Sequence, residues 1–244
     1  MYIRIGEAGP DSTQRFSKGL TFMVGYTWSK AIDNGSALRT NSGDTLWPVN
    51  NYNMRAERGL SQFHVGRRLV GSFVYELPFG HGKSMATEGV LAAIVGGWQL
   101  GGIVTLADGA PVNVAQLGDT AALNTLGNQP DATGISPIPA NRSQTQYWNI
   151  ASINVTNLEL SWRPGNMGRN TLFRPGTIQG DLSLARNIRL FEGHLLNFRF
   201  ETFNSANHPN WNAPSSDARN APSFGVITSA RTMRQLQFAL KYIF

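Results

Sequence analysis

Four histidines, His64, His81, His194 and His208, are the side chains of this chain best suited to bind a metal or carry a proton. A metal site needs ligands brought to one face, as by an i, i+4 pair, or a tight cluster of mixed ligand types. No two of the four have that spacing, and His208 precedes Pro209 in a stretch that reads as a turn. Cysteine is absent, which removes thiolate ligands, cysteine nucleophiles and disulfides together. The 15 acidic residues are dispersed, with no pair suited to glycoside hydrolysis. Gly82, Lys83 and Ser84 resemble the end of a phosphate-binding loop, but Leu77 stands where its first glycine belongs. A Gly-x-Ser-x-Gly elbow is also lacking. The expectation is a protein without catalytic residues, cofactor or metal: not an enzyme.

Binding chemistry is more plausible. Polar side chains recur on one side of several alternating segments: Arg68, Ser72 and Glu76; Gln179, Asp181 and Ser183; Asn197, Arg199 and Glu201. They suit either a wall that touches a passing solute or the ordinary polar lining of a water-filled interior. The second reading is favoured for any single residue. Arg68, Glu76, Asp181, Arg199 and Glu201 are the candidates for that wall. Aromatic residues also stand in long polar stretches: Trp47, Tyr52, Tyr147, Trp148, Trp162 and Trp211. They can stack on a sugar or another ring, or they can hold the loops together. Trp47 and Tyr52, in the first long loop, are the candidate ligand contacts.

The elements that position these residues are strands. Leu236, Phe238, Leu240, Tyr242 and Phe244 alternate with Gln235, Gln237, Ala239 and Lys241 to the end of the sequence. Alternation of this kind gives a strand one apolar and one polar face. The same pattern runs through 20–29, 68–77, 98–107, 178–185 and 196–202, with 224–230 a weaker candidate. Several hold their alternation for about 9–11 residues, enough to cross a bilayer as a tilted strand, where strands of soluble domains cluster nearer five or six. Aromatics fall toward strand ends, at Tyr26, Trp28, Tyr75, Phe79, Trp98, Tyr242 and Phe244, as in the girdles of membrane barrels. The apolar face of the last strand is therefore expected to meet lipid.

Residues 31–62 and 108–175 are long, polar and rich in Gly, Asn, Ser and Pro, whereas Phe191–Gly193 and Arg231–Met233 read as tight turns. Seven strands joined in this way put the last strand's end on the same side as the long loops. A barrel of this kind should end on the opposite side. The favoured solution is one further crossing hidden in 108–175, at Val112–Ala115 or Ile150–Leu160, giving about seven to eight strands.

Composition agrees. Charged residues make up 15% of the 244 residues, against about 25% in typical soluble domains. Lys and Arg exceed Asp and Glu by six but are scattered, so no nucleic-acid footprint is evident. There is no apolar run long enough for a transmembrane helix, and the first ten residues do not read as a secretory signal. An outer-membrane protein needs one, so the chain is expected to be the C-terminal portion of a longer protein.

Several stretches carry a family resemblance: 16–22, 26–35, 75–80, 97–100, 168–172, Arg174–Gly176, 181–184, 198–204, 207–210 and the terminal strand. In that order they resemble the C-terminal barrel portion of TonB-dependent outer-membrane transporters, in the Oar-like branch, across residues 16–244. Residues 1–15 depart from the family pattern and are expected to be an atypical start. The resemblance implies an all-β fold, an antiparallel transmembrane β-barrel present here in part, with long polar loops. It further implies the outer membrane of a Gram-negative-type cell, contact with its lipid, assembly by the barrel-assembly machinery through the C-terminal strand, and TonB acting through an N-terminal part not present here. The expected function is barrel wall and external loops for TonB-energised uptake of a large solute. The alternatives are a non-transporting barrel or adhesin-like scaffold and, less favoured, a soluble carbohydrate-binding β-sandwich.

Overall fold

The computed structural model describes residues 2–7, 12–16, 19–36, 48–50, 52–114, 116–117, 127–155 and 163–244, with backbone alone at 2–7, 12–16, 117 and 127. Its main feature is one antiparallel sheet. The contributing strands are β1 (Tyr2–Glu7), β2 (Ser12–Phe16), β3 (Leu20–Asp33), β4 (Gly59–Leu60), β5 (Arg67–Glu76) and β6 (Trp98–Ala107). Six two-residue strands follow: β7 (Pro111–Val112), β8 (Gln116–Leu117), β9 (Gly127–Asn128), β10 (Asp131–Ala132), β11 (Ile153–Asn154) and β12 (Leu172–Phe173). The chain then returns to the main sheet with β13 (Thr177–Phe191), β14 (His194–Phe203) and β15 (Gln235–Ile243). A short helix, α1 (Gly89–Val95), lies between β5 and β6.

The sheet order is β1-β3-β5-β6-β13-β14-β15. β1 pairs with Thr27–Ile32 and β2 with Leu20–Val24, so the two form one interrupted edge strand along β3. The result is a curled seven-stranded half-barrel, open at β1/β2 on one side and at β15 on the other. Within 1–15, expected to be an atypical start, residues 2–7 and 12–15 thus pair with β3 as strand.

The pairing register converts alternation along each strand into two continuous faces. Leu20, Tyr75, Leu100, Leu184, Phe200 and Phe238 form one row across six strands. Phe22, Phe73, Gly102, Leu182, Thr202 and Leu236 form the next. Beyond them run Val24, Gly71, Val104 and Gly180, then Tyr26, Leu69, Leu106 and Ile178. This face is apolar almost throughout. Gly102 is required within it, because a Cβ there would lie 2.5 Å from Cε1 of Phe73, whose ring covers the glycine. The opposite face carries Thr21, Val74, Gly101, Ser183, Glu201 and Gln237, and beside them Glu76, Gln99, Ala185, Arg199 and Ala239.

Connections sort strictly by length. Residues 17–19, 77–97 and 192–193 join strands at one rim, where the last strand also ends; 34–66, 108–176 and 204–234 join them at the other. This overturns two expectations. Residues 224–230 are not a strand but part of the third long connection, and among the described residues 108–175 contributes no crossing to the main sheet. Around Val112 and Ile153 there are only local ladders, β7 with β12 and β10 with β11; Ala115 and 156–160 lie outside the described residues. Seven strands alone put the C-terminal end opposite the long connections, so the parity conflict disappears.

Phe224 to Ala230 misleads because its apolar residues are buried by the loops. Phe224 and Ile227 join Val114, Tyr147, Trp148, Ile153, Met167, Leu172 and Ala218 in the hydrophobic core of the described residues. That core belongs to the long connections, not to the sheet. Gly225 makes the turn within it at φ 73°, and a Cβ there would sit 2.8 Å from the backbone N and O of Trp148. On the sheet, by contrast, Leu236, Phe238 and Leu240 remain 60–69% exposed.

Candidate functional site

The described parts of the long connections fold together over their rim, held by two polar assemblies beside the apolar core. In the first, Arg169 is brought to the end of β3 from 136 residues away. Its side chain is 2% exposed. Nε donates to the Glu57 carbonyl (2.8 Å), Nη1 to Ser36 Oγ (3.1 Å), and Nη2 to the Asp33 carbonyl (2.6 Å) and to Asp33 Oδ1. Ser36 Oγ in turn donates to the Asp33 carboxylate and accepts from the Gln62 N–H at 2.9 Å. A buried guanidinium is tolerated only when its charge is balanced and its donors are used, and here four acceptors meet it.

Neighbouring residues complete this clasp. Asn170, at φ 56°, donates through Nδ2 to the Leu60 carbonyl at 2.6 Å. Gly59 leaves room for the Arg169 carbonyl, which a Cβ would approach to 2.7 Å. Glu57 is buried, and its Oε1 accepts from the N–H groups of Val49 (2.8 Å) and Asn50 (3.4 Å). His64 Nδ1 accepts from the Ala31 N–H at 3.3 Å; burial, assisted by Lys30, holds its pKa below the ordinary histidine value, which favours the neutral ring.

The second assembly pairs Asp131 with Arg163 through two hydrogen bonds of 2.6 and 3.0 Å. Asp131 Oδ1 also accepts from the Asn166 N–H at 2.9 Å. The Arg163 guanidinium holds the Asp131 carboxyl below the usual carboxylate range; burial opposes this, and the Asn166 hydrogen bond adds to it.

A groove of about 620 Å³ opens where this layer meets the sheet. Its floor is the outermost apolar row, Tyr26, Leu69, Leu106 and Ile178; Tyr147 and Trp211 reach it from the loops.

The sequence candidates fall as follows. Arg68, Glu76, Asp181, Arg199 and Glu201 all lie on the polar face of the sheet. Arg199 and Glu201 approach to 3.5 Å, Glu76 pairs with Lys83 at 2.8 Å, and Asp181 Oδ1 accepts from Gln179 Nε2 and the Asn204 N–H, each at 2.8 Å. Leu236, Phe238, Leu240 and Tyr242 share the apolar face, with Phe244 beyond the strand's end and 89% exposed. Tyr52, in the first long connection, is 99% exposed, its N–H turned to Asn50 Oδ1. Trp47 and Trp162 lie outside the described residues. Tyr147 and Trp148 are buried, so their role is to hold the loops together: Trp148 is 1% exposed, and its ring lies 5.9 Å from that of Phe224 at a tilt of 44°. Among the described residues no three His, Asp or Glu side chains gather as metal ligands.

Sequence reasoning missed the Arg169 clasp. Its ion pair, Asp33 and Arg169, lies in two stretches of family resemblance, 26–35 and 168–172, but a single sequence does not say that they touch.

A family model described as an outer membrane beta barrel domain matches residues 11–237. No curated protein matches the chain.

Proposed function

Because this chain belongs to the outer membrane beta barrel domain family and so resides in the outer membrane, we propose that it supplies the wall and external loops of a transporter for TonB-energised uptake of a large solute. The observation that supports this most is the loop layer: three long connections leave one rim, the second and third share a buried core, and a buried ionic clasp ties the first to the second. Loops ordered in this way present a fixed surface to a solute, with Tyr52 exposed on it and Trp47 in the same stretch of sequence. In this reading the long rim faces the medium and the short rim the periplasm. The apolar face, including Leu236, Phe238, Leu240, Tyr242 and Phe244, meets lipid, since only a closed barrel satisfies strand backbones within hydrocarbon. Arg68, Glu76, Asp181, Arg199 and Glu201 line the lumen. The barrel-assembly machinery engages the C-terminal strand, TonB acts through a part of the protein other than these residues, and no catalysis is assigned.

The test is uptake by cells expressing the full-length gene, with and without TonB, of labelled siderophores, cobalamin, glycans and peptides. Saturable entry of one class that disappears without TonB is expected. An inserted, correctly assembled barrel with no TonB-dependent entry of any class refutes energised uptake and favours the scaffold reading.

A further inference from the structure

The connection between β5 and β6 carries an element that the wall and the loop layer do not use. Helix α1 spells Gly-Val-Leu-Ala-Ala-Ile-Val, without a charged or polar side chain. Only Ala92 is buried; Val90, Leu91 and Ile94 are 77%, 61% and 60% exposed. Val90 and Ile94 stand at i, i+4 and Leu91 and Ile94 at i, i+3, the spacings that share a helix face, so the three form a single aliphatic ridge.

Its attachment fixes which side of the sheet it occupies. Trp98, Arg186, Phe198 and Leu240 form a row on the apolar face. Arg186, the cation of that row, donates from Nη1 to the Ile94 carbonyl at 2.6 Å and from Nη2 to the Ala93 carbonyl. Its guanidinium lies 5.6 Å from the Trp98 ring centroid, and Trp98 Nε1 also donates to the Ile94 carbonyl at 3.2 Å. The last carbonyls of a helix lack intrahelical partners and carry partial negative charge. Here two side chains of the apolar face satisfy them. Glycines bring the end of α1 against the preceding segment: a Cβ on Gly80 would lie 2.6 Å from Cα of Gly96. The helix is thus held at the short rim, on the apolar side of the wall.

From this geometry we infer that α1 is an interfacial anchor, its Val90, Leu91 and Ile94 seated among phospholipids of the periplasmic leaflet of the outer membrane. The inference rests on the lipid-facing assignment made above. The occupant follows from continuity: the ridge adjoins the same apolar face that meets lipid, and a helix lying in a membrane interface buries its apolar side in the acyl boundary. Arg186 sits where such an anchor needs it, using carbonyls and an indole face as partners in place of water.

These 244 residues contain no cysteine, so each introduced cysteine is the one label site among them, any cysteine elsewhere in the full-length protein being replaced by Ser. Single variants Leu91→Cys, Ile94→Cys, Thr87→Cys and Leu240→Cys in the full-length protein carry a nitroxide label in outer-membrane vesicles. Collision with oxygen, which partitions into lipid, is compared with collision with a water-soluble nickel chelate. Positions 91 and 94 are expected to favour oxygen as position 240 does, and position 87 to favour nickel severalfold more than they do. If 240 favours oxygen while 91 and 94 favour nickel, the anchor is refuted and the lipid-facing wall stands. Shielding of 91 and 94 from both reagents refutes the anchor in favour of a protein partner. A nickel-favouring position 240 refutes the wall assignment and the anchor with it.

Discussion

Replacing Arg169 by Ala opens the loop layer without dismantling the sheet. Arg169 holds four acceptors from the first long connection and the end of β3. Its removal leaves the Asp33 carboxylate, 13% exposed, without its cation. Breaking a buried, hydrogen-bonded ion pair by deleting one member costs about 3–5 kcal/mol. Because about 1.4 kcal/mol is a factor of ten in an equilibrium constant, local opening of the layer should rise by roughly a hundredfold or more. Cleavage that proceeds from the open form follows that population. The assay is limited proteolysis of intact cells, where protease reaches only external loops, with heat-modifiable migration on gels reporting the folded barrel. Cleavage should accelerate within 34–66 and 163–176 while migration is unchanged. Arg169→Lys should fall between, since an ammonium keeps the charge but not the planar fork. In a double-mutant cycle, adding Asp33→Asn to Arg169→Ala should cost far less than Asp33→Asn alone. Cleavage at the wild-type rate in Arg169→Ala, or additive effects in the cycle, would refute the clasp as a determinant of loop order.

Other outcomes follow from the same geometry. Leu240→Arg should cost about 2–4 kcal/mol if it faces the bilayer's middle and Gln237→Arg much less, measured by urea titration of barrel folding into vesicles; equal costs contradict a lipid-facing stripe. Gly225→Ala forces a Cβ against Trp148 at positive φ, a strain of about 1–3 kcal/mol. It should loosen the loop core, seen as faster hydrogen exchange at the Tyr147 and Ile227 amides. Asp131 has a depressed pKa in the folded state, so its pairing stabilises above the ordinary carboxylate pKa, about 3.9, and is lost as pH falls through the lower folded value. Exchange around 128–132 and 163–166 should therefore rise on acidification below about pH 4, and Asp131→Asn should show it already at neutral pH. Tyr52→Ala, at a side chain 99% exposed, should leave folding unchanged and weaken binding of whichever solute the uptake panel identifies; unaltered binding removes Tyr52 from the contact surface.

The strands were legible because their signal has a period. Leu236 to Phe244 alternates without interruption, and the register places its apolar residues opposite those of β14, as at Phe238 with Phe200 and Leu240 with Phe198. A period of two specifies which side chains share a face whatever covers that face. The loop layer has no period. Phe224 and Ile227 are buried by Trp148 and its neighbours, contacts between distant stretches of chain, and read alone they imitate a short strand. The tight turn read at Arg231–Met233 fails for the same reason: Arg231 N donates to the Asn210 carbonyl and Arg234 N to Asn207 Oδ1, ties within one long connection rather than a hairpin. Arg169 was least visible, since an arginine in a polar stretch looks solvated until its partners are known.

In the proposed orientation two solvents stabilise two parts of one chain. The sheet keeps its large apolar residues on the surface, with Leu236, Phe238 and Leu240 at 60–69% exposure, and under the proposed lipid-facing assignment hydrocarbon completes their burial. Between apolar side chains and lipid tails there is no net transfer on packing, so the wall's order comes from backbone ladders that must close on themselves. The loop layer stands in water and behaves like a small globular domain: Trp148, Phe224 and Ile227 are nearly inaccessible, and transfer from water drives their packing. A detergent that replaces lipid should thus perturb the sheet before the loops, and a chaotrope in the external medium should do the reverse. The clasp joins the two regimes, because Asp33 ends β3 while Arg169 belongs to the loops. Loss of the Arg169–Asp33 contact should therefore be felt on both sides of that junction, at the end of β3 and in the loops.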